Sequence, residues 1–528
     1  QWMYATDAGF YGYSIDQSLR FPNSAPGTGN AYLNRTPSSS GNRKTWTWSA
    51  WVKRSILGNG SGNQNQLMWA AFTGTDPDQF RFGDTNDLEF YLNDGLAANI
   101  QTNQLFRDVS SWYHIVLAVD TTQATASDRV KFYVNGEQVT SFSTATYPSQ
   151  NHDTDWNHNC VHTIGQSARV NSTQWFCGYM AEVNFIDGTA LDADSFGETS
   201  NGVWVPKAYS GSYGTNGWYL PFDDSSAIGD DESGNTNDWT ANNLAASDVV
   251  PDSPTNNFAT FNALEKHSAT ALSEGNLVST SGNANDWECA GSTMHVNSGK
   301  WYCEIELTAA SGTLDLIIGV ARSQSFEFLA GTTFYTPASN YGYYASVGDV
   351  YSGGSVSGDF DTTYAVGDII GIAIDMDNLA VYFSKNGTFI NSGDPTSGAS
   401  KTGLSGALLS GASYQVAVGA YQNNTKFTAN FGQDGTFAGG VTAGGNSDGN
   451  GVGDFKYSVP SGFLALCTAN LPEPTIGPNS AEQADDYFNT VLYTGNASTN
   501  AITGVGFSPD FVWIKIEARR KPIMYLIR

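Results

Sequence analysis

The stretch RVKFYVNGEQV (129–139) decides the fold class of this chain. Its apolar side chains recur at every second position, which is the period of a β-strand with one buried face. The pair Asn135–Gly136 then supplies the residues that a type I′ hairpin turn requires. The same pattern returns in LAVYFSKNGTFI (379–390), with its turn at Asn386–Gly387. This repetition predicts two β-domains with similar central hairpins.

Strand patterns also dominate the rest of the sequence. Short runs rich in aromatic and β-branched residues include KTWTWSAWVKR (44–54), SSWYHIVLAVD (110–120) and GDIIGIAIDMD (367–377). They are not accompanied by a long run with the 3.6-residue period of an amphipathic helix. The sequence therefore predicts an all-β protein.

The length and the charge of the chain restrict its architecture and its partners. With 528 residues it exceeds the roughly 250 to 300 residues at which a single hydrophobic core stops growing. Its 51 acidic and 24 basic residues give a net charge of -27, which repels nucleic-acid phosphates and anionic lipids. Apolar runs are shorter than the roughly 20 residues of a membrane-spanning helix. We therefore expect several domains, no nucleic-acid partner and no insertion into a membrane.

The five cysteines are too few and too dispersed for a disulfide framework. Buried thiols are the simpler expectation. The separation between Cys160 and Cys177 also permits a disulfide, so both states remain open for this pair.

Changes in composition divide the chain into five segments. The stretch 223–257 is rich in Asp, Ser and Asn and is interrupted by two prolines, which is typical of a connector. The predicted organisation is an N-terminal arm (1–16), a first β-domain (17–222), a polar linker (223–265), a second β-domain (266–472) and a partial C-terminal β module (473–528).

The first β-domain resembles the laminin-G-like members of the concanavalin A-like lectin/glucanase superfamily. The resemblance implies a jelly-roll sandwich of two sheets, and laminin-G-like domains often hold calcium. It rests on SLRF (18–21), WTWSAWVKR (46–54), WYHIVLAVD (112–120), KFYVNGEQV (131–139) and GYMAEVNFIDGTAL (178–191), in this order.

The second β-domain resembles a SPRY domain, which is a concanavalin A-like sandwich as well. In that family the sandwich is a non-catalytic recognition module whose loops contact a partner. The motifs are GKWYCEIEL (299–307), IIGVA (317–321), YAVGDIIGIAIDMD (364–377), VYFSKNG (381–387), NFG (430–432) and FKYSVPSGF (455–463).

Two further stretches resemble structural proteins of tailed phages, especially marine ones. They are NGVWVPKAYSGSYGTNGWYLPF (201–222) and YFNTVLYTGNASTNAITGVGFSPDFVWIKI (487–516), the latter similar to the start of a β module of tail and fibre proteins. The basic end EARRKPIMYLIR (517–528) departs from that pattern. The fold expected from all these features is two tandem concanavalin A-like jelly-roll β-sandwiches plus a small C-terminal β segment.

One strand of the sequence is a candidate for catalysis. Glu304 and Glu306 in CEIEL lie two positions apart, roughly 6.6 Å along a strand, a separation compatible with paired glycosidase carboxylates. The glucanase pattern requires a third acidic residue two positions further on, where this chain has Thr308. We therefore expect both glutamates on a solvent face and no enzymatic activity. Likewise, Glu182 and Asn184 are expected to form an outward polar stripe.

Two loops are candidates for ligand binding. NHDTDWNHNC (151–160) combines a Trp for stacking on a sugar with polar groups for its hydroxyls. SNYGYYASVGDVYSGG (339–354) is rich in Tyr, a favoured contact residue, although alternation assigns about half of these rings to the core. The candidate ligand-binding residues are Asp153, Asp155, Trp156, His158, Tyr341, Tyr343, Tyr344 and Tyr351.

Calcium is the one cofactor considered, because hard cations need several converging oxygens and Asp is abundant here. The connector provides one group and the LEFYL strand another, and solvated acidic loops remain the alternative for both. The candidate ligands are Asp223, Asp224, Asp230 and Asp231 in the connector, and Asp84, Asp87 and Asp94 around the strand.

The expected function is that of a non-catalytic virion protein of a tailed phage, in a tail fibre, appendage or decoration. Its partners would be other virion proteins, further copies of itself, in a trimer if it follows phage fibres, and a host-surface glycan or receptor. Two alternatives remain open: a purely architectural virion protein, and a glycan hydrolase using Glu304 and Glu306.

Overall fold

The computed structural model describes residues 11–23, 31–60, 65–74, 76–167, 174–325, 328, 331–471, 487–491, 493–496, 498–508 and 512. Strands dominate this part of the chain, as predicted. Helical structure among these residues consists of short 3-10 turns, at Ala126–Asp128, Ala193–Ser195, Ala246–Asp248, Ile390–Ser392, Pro395–Ser400 and Thr468–Asn470. None of the described helices is long and apolar enough to cross a membrane.

Strands β1 to β18 belong to the first half of the chain. They are β1 (Ser18–Phe21), β2 (Tyr32–Arg35), β3 (Thr45–Arg54), β4 (Gln66–Phe72), β5 (Asp78–Phe82), β6 (Asp87–Leu92), β7 (Ala98–Leu105), β8 (Trp112–Asp120), β9 (Val130–Val134), β10 (Glu137–Gln138), β11 (Phe142–Thr146), β12 (Val161–Ile164), β13 (Gly178–Asp187), β14 (Gly197–Ser200), β15 (Val203–Pro206), β16 (Trp218–Leu220), β17 (Thr240–Asn242) and β18 (Val249–Val250).

Strands β19 to β34 belong to the second half. They are β19 (Phe261–Lys266), β20 (Ala271–Ser273), β21 (Val278–Thr280), β22 (Glu288–Ser292), β23 (Lys300–Ala309), β24 (Leu316–Arg322), β25 (Tyr341–Tyr344), β26 (Val350–Ser352), β27 (Ser355–Gly358), β28 (Ile369–Asp375), β29 (Ala380–Lys385), β30 (Thr388–Phe389), β31 (Gly406–Ala407), β32 (Tyr414–Ala420), β33 (Lys426–Asn430) and β34 (Leu464–Ala465).

The first sandwich consists of two sheets packed face to face. Sheet I has the order β10-β9-β8-β3-β13-β1-β18, with β16 also bonded to β13, and sheet II has the order β11-β7-β6-β5-β4-β12-β2-β17. Alternate residues of both sheets fill the space between them, and Trp46, Trp48 and Trp69 are fully buried there. These large rings bury enough apolar surface to stabilise the two sheets against each other.

The outer face of sheet I is also covered. Trp51 from β3 packs with Phe196 and Trp204, which lie on the segment that contains the β14–β15 ribbon. This second layer explains why nearly every residue of β3 is buried. The sequence pattern of β3, rich in Trp on both faces, is that of a strand enclosed on both sides.

The second sandwich repeats the two-sheet arrangement. Sheet III has the order β19-β22-β32-β24-β25-β26-β27, and sheet IV has the order β20-β21-β33-β23-β28-β29-β30, with β31 and β34 joined at β29 and β23. Residues 434–470 fold over the outer face of sheet IV, where Phe455 packs on Tyr302 at 5.3 Å between ring centroids. Sheet III is covered only in part, by residues of the 323–340 segment such as Phe334.

Both Asn–Gly hairpin turns are confirmed. Asn135 and Gly136 have φ values of 48° and 85°, and Asn386 and Gly387 have 48° and 80°, as a type I′ turn requires. Gly136 is required for a second reason, because a Cβ there would lie 2.5 Å from the ring of Trp204. The all-β class and the two tandem sandwiches follow the expectation from the sequence.

The segment expected to be a polar linker, 223–265, is folded into both sandwiches. Strand β17 extends sheet II, β18 pairs with β1 in sheet I, and β19 begins sheet III. Asp252 lies between the sandwiches, fully buried, and accepts hydrogen bonds from Lys53 Nζ at 2.7 Å and from the indole of Trp112 at 3.3 Å. In this segment, polar side chains such as Asp252 form hydrogen bonds with buried groups that are distant in the sequence. The composition of the segment does not reveal these partners.

A second buried ionic group joins the sandwiches at Arg20. Its guanidinium lies 2.7 Å from Asp434 in the second sandwich and 3.2 Å from Asp248, and all three side chains are almost inaccessible to solvent. One hydrogen bond, donated by the Asn276 amide to the carbonyl of Ser55 at 2.8 Å, runs in the opposite direction across the same boundary. The two sandwiches therefore share a buried polar interface.

The five cysteines are buried thiols, and the disulfide between Cys160 and Cys177 is not present. Cys160 Sγ contacts the carbonyl of Asp155, whereas Cys177 lies beside Arg54, so the two occupy different surroundings. Burial raises the pKa of both thiols to about 12, which keeps them protonated and unreactive.

Both ends of the chain are only partly described. Residues 1–10 of the predicted arm, 472–486 and 513–528, with the basic end, lie outside the described residues. The described positions between 487 and 512 carry no strand. The remainder of the predicted C-terminal β segment lies outside the described residues.

Candidate functional site

The 151–160 loop does not present its Trp to a ligand. Trp156, expected to stack on a sugar, is fully buried between sheets I and II. Its ring centroid lies 5.0 Å from that of Trp69, 5.3 Å from Trp46 and 5.3 Å from Phe90. The prediction for Trp156 is therefore wrong. The polar residues on both sides of Trp156 suggested a surface loop, although the Trp156 side chain belongs to the core.

The polar residues of this loop are largely engaged within the protein. Asp155 accepts a hydrogen bond from Thr73 at 2.8 Å and lies 3.5 Å from Arg43, while its own backbone N–H bonds to Asp78 at 2.6 Å. Asp153 is half exposed and lies 3.9 Å from Lys44. His158 is half-buried at the same turn. The structure gives this set the role of holding the loop against the sandwich.

The Tyr-rich stretch 339–354 forms two strands of sheet III, β25 and β26. Alternation along β25 divides its tyrosines between two faces. Tyr341 and Tyr343 point into the core, and Tyr343 is fully buried. Tyr344 and, on β26, Tyr351 are half-buried on the outer face, with ring centroids 5.4 Å apart. Half of the four predicted tyrosines are thus placed where a ligand can reach them.

These two rings belong to a larger cluster, which we call the aromatic platform: Trp287, Tyr335, Tyr344, Tyr351 and Tyr421, all half-buried. The rings form one continuous series. Tyr421 lies 5.6 Å from Trp287, Trp287 lies 6.1 Å from Tyr344, and Tyr351 lies 5.2 Å from Tyr335. Such centroid distances are those of mutually supporting aromatic pairs.

The strand order of sheet III creates the platform. Strands β22, β32, β24 and β25 are adjacent, although β32 is far from the others in sequence. Trp287 stands directly before β22 and Tyr421 directly after β32, so pairing of these strands brings the two rings together. Sequence reasoning missed Trp287, Tyr335 and Tyr421. Their aromatic character was visible, but the strand order that unites them was not.

Polar groups surround the rings. The hydroxyl of Tyr344 donates a hydrogen bond to Asp315 at 2.9 Å. Burial, together with this carboxylate, raises the pKa of the Tyr344 phenol, and burial raises the pKa of Tyr335. Both hydroxyls therefore stay neutral and able to donate at physiological pH. The platform thus combines apolar ring faces with hydrogen-bonding groups.

The strand CEIEL is closed to solvent, so the expectation of a solvent face for Glu304 and Glu306 is wrong. Glu304 is fully buried, and its carboxylate accepts hydrogen bonds from the backbone N–H groups of Lys456 and Tyr457, both at 2.8 Å. Burial raises the pKa of Glu304 to about 7. Glu306 is nearly buried as well, under the 434–440 stretch. The prediction that Glu304 and Glu306 share one face of the strand is correct, but residues about 150 positions later in the chain cover that face.

The expected outward stripe of Glu182 and Asn184 is also covered. Glu182 sits in a β-bulge of β13 with φ of 52° and accepts hydrogen bonds from Tyr219 at 2.5 Å and Tyr13 at 3.1 Å. Asn184 is buried and accepts from the hydroxyl of Tyr213 at 2.9 Å. Tyr13, in the described part of the N-terminal arm, and Tyr213, in the stretch before β16, pack over sheet I, and Tyr219 lies in β16 itself.

Burial raises the pKa of Glu182 to about 7, above the ordinary value near 4.5. As the pH rises, the Glu182 carboxyl ionises in the unfolded chain at a lower pH than in the folded protein. Its contribution to the free energy of unfolding therefore falls between about pH 4.5 and 7, and the loss is complete above pH 7. We expect Glu182→Gln, which carries no charge, to be about 1 to 3 kcal/mol more stable than the wild type at pH 8.

The measurement for Glu182→Gln is urea unfolding at pH 5 and pH 8. Asp78, Glu274 and Glu304 share a pKa raised to about 7, so wild type and variant are compared at each pH and only their difference is interpreted. The exposed Glu137→Gln serves as the control, with the same difference at both pH values. An equal gain for Glu182→Gln at both pH values would contradict the assignment.

A serine–histidine contact lies beneath the β14–β15 ribbon, and its geometry opposes nucleophilic catalysis. His114 accepts a hydrogen bond at Nδ1 from the indole N–H of Trp204 at 3.0 Å. The ring proton is therefore on Nε2, which donates to Ser49 Oγ at 2.9 Å. Burial lowers the pKa of His114 to about 3. Since Nε2 already carries the proton, it is not a base for Ser49.

The connector carboxylates are occupied by turns or exposed. Asp231 accepts from the backbone N–H of Tyr219 and Asn237, both at 2.8 Å, and Asp224 accepts from Ser226. Asp223 and Asp230 are exposed. Of the strand candidates, Asp84 and Asp87 are buried beside Glu89, and Asp94 lies in the turn after β6.

Among the described residues, three carboxylates that were not predicted as calcium ligands lie close together. Asp349, Asp359 and Asp361 each offer an oxygen within 4.8 Å of the others. Three ligands are fewer than the six to eight oxygens that calcium takes, so water would supply the rest. We call this group the acidic trio.

Comparison with known proteins agrees with this architecture. Residues 27–195 match the family model of the Concanavalin A-like lectin/glucanases superfamily, so the first sandwich contains a laminin-G-like, concanavalin A-like domain. Residues 483–524 match a domain of unknown function. No curated protein matches the chain.

Solved structures are similar to parts of the chain. The SPRY domain of human HERC1 is 17% identical over 32% of this chain and 96% of that chain, with a TM-score of 0.26. A heptameric SAP-like pentraxin from Limulus polyphemus is 15% identical over 34% of this chain and 80% of its own, with a TM-score of 0.26. A putative carbohydrate binding protein from Bacteroides ovatus is 17% identical over 34% and 46%, with a TM-score of 0.24.

Proposed function

We propose that the chain is a non-catalytic recognition protein that binds a host-surface glycan on the aromatic platform. The observation that carries this proposal is the continuous series of five half-buried rings on one face of sheet III. Isolated exposed aromatics need no explanation, but contiguous exposed apolar surface on a folded domain indicates an interaction site.

A pyranose ring matches this surface chemically. One face of many sugars is lined by C–H groups, and its burial against an aromatic ring removes apolar area from water. The Tyr344 hydroxyl and the Asp315 carboxylate stand beside the rings and are suited to sugar hydroxyls. A few placed polar groups around an apolar surface are the usual composition of a small-molecule site. Several rings in series fit several consecutive sugar units.

Binding without cleavage is supported by the state of the acidic residues. The strand carboxylate of Glu304 is held by two backbone N–H groups beneath a folded cover, where a substrate has no access. Catalytic carboxylates must flank the scissile bond. If the chain cleaves a glycan and still does so after Glu304 and Glu306 are both replaced by Gln, the activity belongs to another site.

A role in a tailed-phage virion completes the proposal. It is supported by the resemblance of 201–222 and 487–516 to phage structural proteins. In a tail fibre, appendage or decoration the chain would contact other virion proteins and further copies of itself. The buried ionic interface between the two sandwiches also suits a purely architectural role. A glycan array without any binding to host-surface sugars would favour that alternative.

We expect Trp287→Ala and Tyr344→Ala each to weaken glycan binding about tenfold or more, equivalent to ~1.4 kcal/mol. Each variant removes a ring from the middle of the series. A ligand is first identified on a glycan array, and its affinity is then measured by calorimetry. Tyr147→Ala, which removes a half-buried ring of the first sandwich, is the matched control and should bind normally. Unchanged affinity in both platform variants would refute the proposed site.

A further inference from the structure

Asp315 is in direct contact with two residues of the aromatic platform. Its carboxylate accepts a hydrogen bond from the hydroxyl of Tyr344 at 2.9 Å, and its backbone carbonyl accepts one from the N–H of Tyr421 at 2.9 Å. The ring of Trp287 lies 6.1 Å from that of Tyr344 and 5.6 Å from that of Tyr421. The carboxylate therefore stands beside the part of the platform that these three rings form.

The register of sheet III fixes Asp315 in this position. The residue directly precedes β24, which pairs with β32 on one side and with β25 on the other. Leu316 lies opposite Ala420 in β32. Ile317 lies opposite Tyr344 in β25. Asp315 thus ends its strand in the same row as the platform rings, so the framework of the sheet holds the carboxylate and the rings together.

Each carboxylate oxygen of Asp315 has one hydrogen bond within the protein. One oxygen accepts from Tyr344, and the other accepts from the hydroxyl of Thr313 at 2.5 Å. An ionised carboxylate has about four acceptor positions, two on each oxygen. Beyond the two internal bonds, each oxygen can therefore accept one more, and the side chain is only half-buried. The internal bonds orient the carboxylate in advance, which lowers the cost of ordering it around a ligand.

Two adjacent hydroxyl groups of a sugar ring match this pair of acceptors. Each hydroxyl donates to one oxygen of the carboxylate, and such charge-assisted hydrogen bonds are roughly twice as strong as neutral ones. The two bonds fix the rotation of the sugar on the platform, while its C–H face covers the aromatic rings. A sugar that lacks one hydroxyl of the pair leaves an acceptor without its partner.

The charge beside the platform disfavours an anionic ligand. Asp286 directly precedes Trp287, and 43% of its side chain is exposed. The backbone N–H of Tyr344 bonds to the carbonyl of Asp349, a member of the acidic trio, at 2.8 Å. The chain as a whole carries a net charge of -27. A carboxylate, sulfate or phosphate on a sugar placed beside Asp315 is therefore repelled.

We propose that Asp315 selects neutral glycans by accepting two adjacent hydroxyl groups of the sugar unit that covers Trp287, Tyr344 and Tyr421. This inference rests on the proposed glycan-binding function and specifies its ligand class. The same carboxylate excludes glycans that carry an acidic group on the contacted unit.

The first test is a glycan array that carries neutral oligosaccharides together with uronate, sulfate and phosphate forms, probed with the full chain. We expect the bound glycans to be neutral. Oxidation of the primary hydroxyls of the best ligand to carboxylates should weaken binding about tenfold or more at low salt, and the difference should shrink as salt screens the charges.

The second test measures the contact itself by calorimetry. Asp315→Asn keeps the shape of the side chain and an acceptor for Tyr344, and should weaken the best neutral ligand about tenfold. In the wild type, removing either hydroxyl of one adjacent pair from the ligand should also cost about tenfold. In Asp315→Asn the same removal should cost less than about threefold, because the contact is already weakened. A merely structural role of Asp315 would not produce this dependence on the ligand hydroxyls.

Two further variants separate charge from position. Asp315→Glu keeps the charge but displaces the oxygens by one methylene group. It should weaken the neutral ligand and still exclude the oxidised one. Asp223→Asn removes the same charge from an exposed position after β16 and should leave both affinities at their wild-type values.

The outcomes separate the two proposals. If the preferred glycans on the array are anionic, or if Asp315→Asn keeps the affinity and the hydroxyl dependence of the wild type, the role of Asp315 is overturned. The platform proposal then stands as long as Trp287→Ala weakens binding. If Trp287→Ala leaves binding of every glycan unchanged, or if the array shows no binding, the platform proposal itself falls.

Discussion

Replacing Arg20 by methionine is expected to lower the free energy of unfolding by about 3 to 5 kcal/mol. Methionine keeps most of the side-chain volume but leaves Asp248 and Asp434 buried without their cation. Removing one member of a buried ionic group is costly because the remaining charges lose their compensation inside a medium of low polarity. The effect should be large because both hydrogen-bonded carboxylates are almost inaccessible to solvent.

Urea unfolding monitored by tryptophan fluorescence measures this effect. Because Arg20 in the first sandwich is bonded to Asp434 in the second, we also expect the unfolding transition of Arg20→Met to separate into two. The exposed Arg107→Met is the matched control and should change stability by less than about 0.5 kcal/mol. A single transition with wild-type stability in Arg20→Met would show that this ionic group does not couple the sandwiches.

Trp156→Ala is expected to cost about 3 to 5 kcal/mol of unfolding free energy. The ring is fully buried and contacts three aromatic neighbours in the core of the first sandwich, so its removal leaves a cavity that the rigid sheets cannot close. Glycan affinity of the folded fraction should remain that of the wild type, because the platform lies in the second sandwich.

The comparison with Trp287→Ala gives this prediction its control. Trp287 is half-buried, so its loss should destabilise the chain less than the loss of Trp156 while weakening glycan binding more. Thermal unfolding and calorimetry on both variants measure the two effects. If Trp156→Ala is as stable as the wild type but no longer binds glycan, the 151–160 loop is the binding site after all.

Local patterns in the sequence were sufficient for the all-β class and for the two hairpins, whereas the two sandwiches were expected from the resemblance to known families. The hairpins at Asn135–Gly136 and Asn386–Gly387 were predictable because turn type depends on the turn residues themselves. Alternation along β25 correctly assigned about half of the tyrosines to the core. These features depend on residues close together in the chain, so a single sequence reveals them.

Features that depend on distant segments were not predictable. Glu304 alternates correctly but is covered by the stretch around Lys456, and Asp252 looked like a linker residue because its partner Lys53 is 199 positions away. Trp287 and Tyr421 become neighbours only through the order of strands in sheet III. The covering of a sheet face, the burial of a charge and the order of strands in a sheet all depend on contacts between distant segments. The local composition of the sequence does not reveal them.

The buried ionic interface between the sandwiches has a consequence for avidity. With no free hinge at residues 248–258, each copy holds its platform at a fixed position relative to the first sandwich. Several copies anchored through the first sandwich would present their platforms at one set spacing. Under the proposed function, multivalent binding would gain from effective concentration only where the repeat distance of the surface glycans matches that spacing.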